Sequence, residues 1–98
     1  SFIFENPDDM LHNFVIIKPG SSEKVGKASD DMAALKDGFE RDFVPTMPEV
    51  LAATPLISTG KTFELGFKAP SEPGDYPFHC FFPGHWRVMK GVVRVVKE

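Results

Sequence analysis

"CFFPGHWRVMK", residues Cys80 to Lys90, holds the chain's one cysteine, one of its three histidines and one of its four methionines. A thiol, an imidazole and a thioether lie around a Pro83-Gly84 turn, so the stretch is either an ordinary turn or a metal site. The residues just before it set the geometry. In "DYPFHC", Asp75 to Cys80, the period-two alternation of a strand puts Tyr76, Phe78 and Cys80 on one face and Pro77, His79 and Phe81 on the other. Cys80 therefore ends a strand and points inward with aromatic neighbours. A second stretch, "LHNFVIIK", Leu11 to Lys18, places His12 on the face of Phe14 and Ile16, so another imidazole is aimed at an apolar interior.

The surrounding chain reads as mostly β. Nine prolines and eight glycines punctuate 98 residues, which favours short strands over long helices. Five strands are expected, Phe2 to Asn6, Leu11 to Lys18, Thr62 to Lys68, Asp75 to Cys80 and Gly91 to Lys97. A sixth is expected at Val50 to Ser58, where Pro55 implies an edge or a bulge. One short helix is expected within "ASDDMAALKDGF", capped by Ser29, with Met32 and Leu35 on one face and Gly38 ending it. Phe39 to Glu49, with Pro45 and Pro48, reads as an irregular surface loop with a few apolar contacts.

Length and composition bound the function. The chain has the size of one domain spanning residues 1–98, and 42% hydrophobic residues with ten phenylalanines can fill one core. A net charge of −3 with mixed signs offers no basic field, so nucleic acid is not an expected partner. No apolar run approaches the roughly 20 residues of a membrane helix, and the start "SFIFENPDDM" lacks the zones of a secretory signal. With no initiator methionine, a mature form or an excised domain is expected. A single cysteine cannot form an internal disulfide.

Alone, Cys80 reads equally well as a small buried hydrophobe. The weight shifts when its setting is added: Cys-x4-His-x3-Met spacing, a strand ending in the thiol, a turn that tightens the loop, and His12 from a distant strand. Two imidazoles and a thiolate in a plane, with a weak axial thioether, are the ligand set of an electron-transfer copper site. Thiolate and thioether favour Cu(I) and the imidazoles accept Cu(II), so a geometry between the two preferences keeps reorganisation small.

On these motifs, from "HNFVI" through "VLAATPLISTG" to "CFFPGHWRVMKG", the chain resembles the cupredoxins, and within them azurin and auracyanin. The resemblance implies a Greek-key β-sandwich that binds one type 1 copper ion and transfers single electrons. It makes His12, Cys80 and His85 the equatorial ligands and Met89 the axial one. It also implies that Asn13 ties the first histidine's strand to the cysteine loop, and that the N–H groups of Asn13 and Phe82 face the sulfur, tuning the potential. Two positions depart from azurins: Leu11 replaces the glycine before the first histidine, and Phe81 replaces a small hydroxyl residue after the cysteine. The family works mostly in the periplasm or otherwise outside the cytoplasm, with redox proteins such as cytochromes or oxidoreductases as partners.

Electrons are expected to pass through His85, ringed by an apolar docking patch of Met10, Phe82, Pro83 and Trp86. Trp86 is read as a solvent-facing contact residue, His79 as a surface histidine, and Arg87 and Lys90 as solvated charges. Met10, Met32 and Met47 have no common spacing and read as packing residues. An enzymatic role, as in multicopper oxidases or nitrite reductases, needs further histidines that this chain lacks. A structural reading, with zinc or no metal, is disfavoured by Met89, since zinc seldom uses methionine.

One expectation concerns the start of the fold. Typically two strands precede the one leading into the first histidine, whereas here only "FIFEN" comes before His12. The two earliest strands are therefore expected to be absent, leaving an open sheet edge. Either the residues belong to a longer polypeptide in which the domain relays electrons to a copper or haem neighbour, or two copies cover each other's edge.

Overall fold

The computed structural model describes residues 2–67 and 70–96. Among these residues, six strands and one helix follow in the order β1 (Phe2–Glu5), β2 (Val15–Ile17), α1 (Ser22–Ala33), β3 (Val50–Ala53), β4 (Thr62–Leu65), β5 (Gly74–His79) and β6 (Lys90–Val95). All pairings are antiparallel. β1 pairs with β4 in a two-stranded sheet, and a four-stranded sheet runs in the order β3-β2-β5-β6. Of the expected strand ends, Lys68 and Lys97 lie outside the described residues.

Two apolar layers hold these pieces together. Ile16, Leu65 and Tyr76 are buried between the sheets, with Phe2, Phe14, Phe63 and Phe78 packed against them. The rings form a connected stack, with Phe14 at 5.8 Å from Phe2 and 4.8 Å from Phe78. The second layer comprises Val15, Ile17, Val25, Phe81 and Trp86. Alternate residues of β2 thus enter different cores, which is why "VII" is buried throughout. A strand apolar on both faces lies in a middle layer, here with the small sheet on one side and α1 on the other.

The helix differs from its expected position. It begins after the Pro19-Gly20 turn, where Ser21 donates its hydroxyl to the Lys18 carbonyl at 2.6 Å, and it ends at Ala33. Ser29 is therefore not a cap but a buried residue of the third turn, its hydroxyl donating to the Phe81 carbonyl at 3.2 Å. Val25, Gly26, Ser29 and Met32 form the buried stripe, while Leu35, expected beside Met32, is half exposed and beyond the helix. Gly26 had masked the pattern by lowering helix propensity at the centre. Its reason is steric: a Cβ there would overlap the indole of Trp86.

Near His12 the second strand leaves its ladder. His12 forms a lone antiparallel pair with Ile57, with N–H···O distances of 3.3 and 2.7 Å. The Phe14 N–H then donates to the Thr54 hydroxyl at 2.9 Å. Regular pairing is thus confined to Val15–Ile17, and the expected sixth strand divides into Val50–Ala53 and the Ile57 contact. Leaving the ladder turns His12 towards the end of β5.

Candidate metal centre

The cysteine loop is closed by its own backbone. The Cys80 N–H donates to the Met89 carbonyl at 3.0 Å, His85 N–H to Phe82 at 3.0 Å, and Met89 N–H to His85 at 2.8 Å. Gly84 turns the chain at φ 88°, a conformation that costs side-chain-bearing residues free energy. The loop therefore leaves β5 at the thiol and returns to β6 just after Met89, holding His85 against the sulfur.

Three donors converge. The Cys80 sulfur lies 3.4 Å from His12 Nδ1 and 3.6 Å from His85 Nδ1, and the three donor atoms fall within 4.8 Å of one another. N and S bonds of about 2.0–2.3 Å in a trigonal plane require donors roughly 3.5–3.8 Å apart, so the spacing fits a single small ion. Soft sulfur with two imidazoles suits copper or zinc by donor type. Met89 lines, with His12, Cys80, Phe14 and Phe78, a cavity of ≈ 260 Å³ beside these donors.

The electrostatics are those of a shielded thiol. Burial pushes the Cys80 thiol up, while N–H groups of Phe82 and Asn13 donate to the sulfur and pull it back. A metal must displace that proton, after which the same two donors stabilise the thiolate. Burial lowers the basicity of His85, as does His12 beside it, and Asp8 opposes them. His12 is buried while His85 is partly exposed.

Asn13 joins the two strands. Its Oδ1 accepts the Phe81 N–H at 2.7 Å, and its Nδ2 donates to the Asp42 carbonyl at 2.8 Å. Phe81 offers no side-chain acceptor, and the Asp42 carbonyl takes the Asn13 amide N–H instead. Asp42 and Phe43 hold left-handed backbone at φ 56° and 55°, and the Asp42 carboxylate also accepts the Leu56 N–H at 3.1 Å. The Phe39 to Glu49 segment, expected as a surface loop with a few apolar contacts, makes those contacts through buried Phe43 and Pro45 and also supports the site.

Two expectations of exposure are corrected. Trp86 is 4% exposed rather than solvent-facing, packed with Val15, Ile17, Val25 and Phe81. Its Nε1 donates to Asp30 at 3.0 Å, and the Arg87 guanidinium covers its ring at 4.4 Å. Arg87, read as a solvated charge, has that ring and Asp30 as partners. His79 is 2% exposed. Its Nδ1 donates to the Trp86 carbonyl at 2.8 Å and its Nε2 accepts from Ser22 Oγ at 2.9 Å. The shared cause is α1, which covers the sheet face assigned to solvent. Of the proposed apolar rim, Met10 is exposed at 47% and Phe82 and Pro83 are partly exposed. Val88, not singled out from the sequence, is 78% exposed beside them in the loop.

The copper-binding protein family of plastocyanin and azurin matches residues 1–96. The chain belongs to that family. Azurin of Alcaligenes faecalis is 38% identical over 89 residues, covering 88% of this chain and 66% of the relative. Auracyanin-A of Chloroflexus aurantiacus is 32% identical over 81 residues, covering 82% and 48%. The solved structure of auracyanin A from that organism, a "blue" copper protein, matches with a TM-score of 0.81 at 28% identity, covering 96% of this chain and 75% of that one. Reduced auracyanin of Roseiflexus castenholzii gives 0.79 at 34% identity, covering 97% and 74%. The sandwich of two antiparallel sheets is thus that of the cupredoxins. The chain spans about two fifths to two thirds of the length of the curated relatives it matches. Among the described residues no helix is long and apolar enough to cross a membrane.

Proposed function

We propose that this domain is a one-electron carrier in which His12, Cys80 and His85 would hold one copper ion, with Met89 as a weak fourth donor. The observation that carries the reading is the convergence of one sulfur and two imidazole nitrogens within 4.8 Å at the end of β5. When bound, copper supplies the redox couple, alternating between Cu(I) and Cu(II). The chain's own part is to hold its donors in nearly one arrangement for both states. The backbone closure of the loop, the Asn13 bridge and the N–H groups on sulfur serve that purpose.

His85 is the route for electrons, because its ring is partly exposed in the loop whereas His12 is enclosed. Met10, Phe82, Pro83 and Val88 provide an apolar rim suited to brief contact with a cytochrome or oxidoreductase outside the cytoplasm. Trp86 is not part of that rim.

The test is one equivalent of Cu(II) added to metal-free protein, followed by optical and EPR spectra and a potentiometric titration. An intense blue band and a reversible one-electron couple are expected. A colourless complex with equal preference for zinc would point to the structural reading instead. Met89→Leu is expected to keep the band and raise the reduction potential, since loss of a weak donor disfavours Cu(II) more than Cu(I). An unchanged or lower potential would remove Met89 from the site.

A further inference from the structure

The two imidazoles at the site have different outer partners. Phe82 packs against the His85 ring at 5.2 Å. The His12 ring, by contrast, meets a charged group, with Nε2 lying 2.7 Å from Asp8 Oδ2. A carboxylate can only accept, so this contact places hydrogen on Nε2 and leaves the lone pair of a neutral ring on Nδ1. Nδ1 is the atom facing the Cys80 sulfur at 3.4 Å.

The Asp8 side chain is half exposed, yet its backbone and carboxylate are fixed from several directions. The Asp8 N–H donates to Asn6 Oδ1 at 3.0 Å. Asn6 is buried, and its Nδ2 donates to the carbonyls of Met10 at 2.8 Å and Ile57 at 2.7 Å. Ile57 in turn pairs with the His12 backbone. The second carboxylate oxygen, Oδ1, accepts the Asp9 N–H at 2.8 Å. The turn from Asn6 to His12 is thus a closed circuit with both Asp8 oxygens used and one aimed at the imidazole.

We infer that Asp8 is a positioning residue of the metal centre, its carboxylate fixing the His12 tautomer that presents Nδ1 and biasing the site towards Cu(II). This rests on the electron-carrier reading above. The bias follows from charge: a carboxylate hydrogen-bonded to the distal nitrogen makes the ring a stronger donor, and a stronger donor with negative charge behind it favours the more highly charged ion. His12 thereby becomes the anchored, charge-supported ligand and His85 the one adjoining the apolar rim.

The experiment compares wild type, Asp8→Asn and Asp8→Ala. Asn can still accept from Nε2–H through its amide oxygen, so Asp8→Asn removes charge with little change of shape, while Asp8→Ala removes both. Copper-loaded Asp8→Asn is expected to stay blue and to lose about tenfold in preference for Cu(II) over Cu(I). For one electron that appears as a potential raised by about 59 mV. Nitrogen-15 NMR of the metal-free protein is expected to show His12 as the Nε2–H tautomer in wild type and a mixture in Asp8→Ala. A blue Asp8→Asn protein with the wild-type potential would overturn the redox bias alone. An unchanged tautomer in Asp8→Ala would overturn the positioning role, whatever the colour of the copper protein. A wild type without a blue band would overturn the electron-carrier reading and the redox bias with it.

Discussion

Cys80→Ser is expected to abolish the blue band and to weaken copper binding by more than the roughly 10–100-fold typical of losing an outer partner. The sulfur is the common neighbour of both imidazole nitrogens, at 3.4 and 3.6 Å. A hydroxyl at that position does not ionise near neutral pH, so two neutral imidazoles would remain without the thiolate's charge or its charge-transfer transition. The N–H groups of Phe82 and Asn13 that donate to the sulfur would face a poorer acceptor. The fold itself should survive, because serine fills nearly the same space and His12 Nδ1 can receive its hydrogen. Absorption and EPR spectra after copper addition read the first effect, and circular dichroism reads the second. A variant that kept the wild-type band would disprove thiolate ligation.

The second large effect is on stability and lies outside the donor set. Trp86→Ala is expected to cost about 3–5 kcal/mol, against roughly 5–15 kcal/mol for a whole domain. The indole is buried with Val15, Ile17, Val25 and Phe81 and lies on the bare face of Gly26. Its removal opens a cavity between sheet and helix that rigid neighbours cannot fill. The expected fall in Tm is at least about 12 °C, at 4–8 °C per kcal/mol for a domain of this size. Gly26→Ala should also destabilise, by about 1–3 kcal/mol, although alanine is the better helix former by roughly 1 kcal/mol. Together the two substitutions distinguish a packed indole from an exposed contact residue. A Tm within two or three degrees of wild type for both would place Trp86 at the surface after all.

The family, most of the strands and the grouping of Cys80 with His85 and His12 were legible because each follows from a pattern within a short stretch. Alternation in "DYPFHC" sends Cys80 with Tyr76 and Phe78, and Cys-x4-His-x3-Met is a spacing within one loop. The distant His12 was reachable because it shares a face with Phe14 and Ile16. The bridging role of Asn13 came through family resemblance, whereas its second partner, Asp42, lies in a segment that reads as plain loop. No periodic pattern marks a backbone carbonyl held by a positive φ.

By itself the sequence determined the alternation, the loop spacing and the residue types that make a copper ligand set. Tertiary structure alone decided which sheet face is wet. Period two says that His79 lies opposite Cys80, but both faces are buried because α1 packs on the second one, through a helix whose central Gly26 weakens its own signal. The same packing moved Trp86 from the expected surface into the core. It also decided that Asp8, one of two adjacent aspartates in a polar turn, meets His12 Nε2. Local pattern describes one element at a time, whereas burial and hydrogen bonding depend on what another element lays across it.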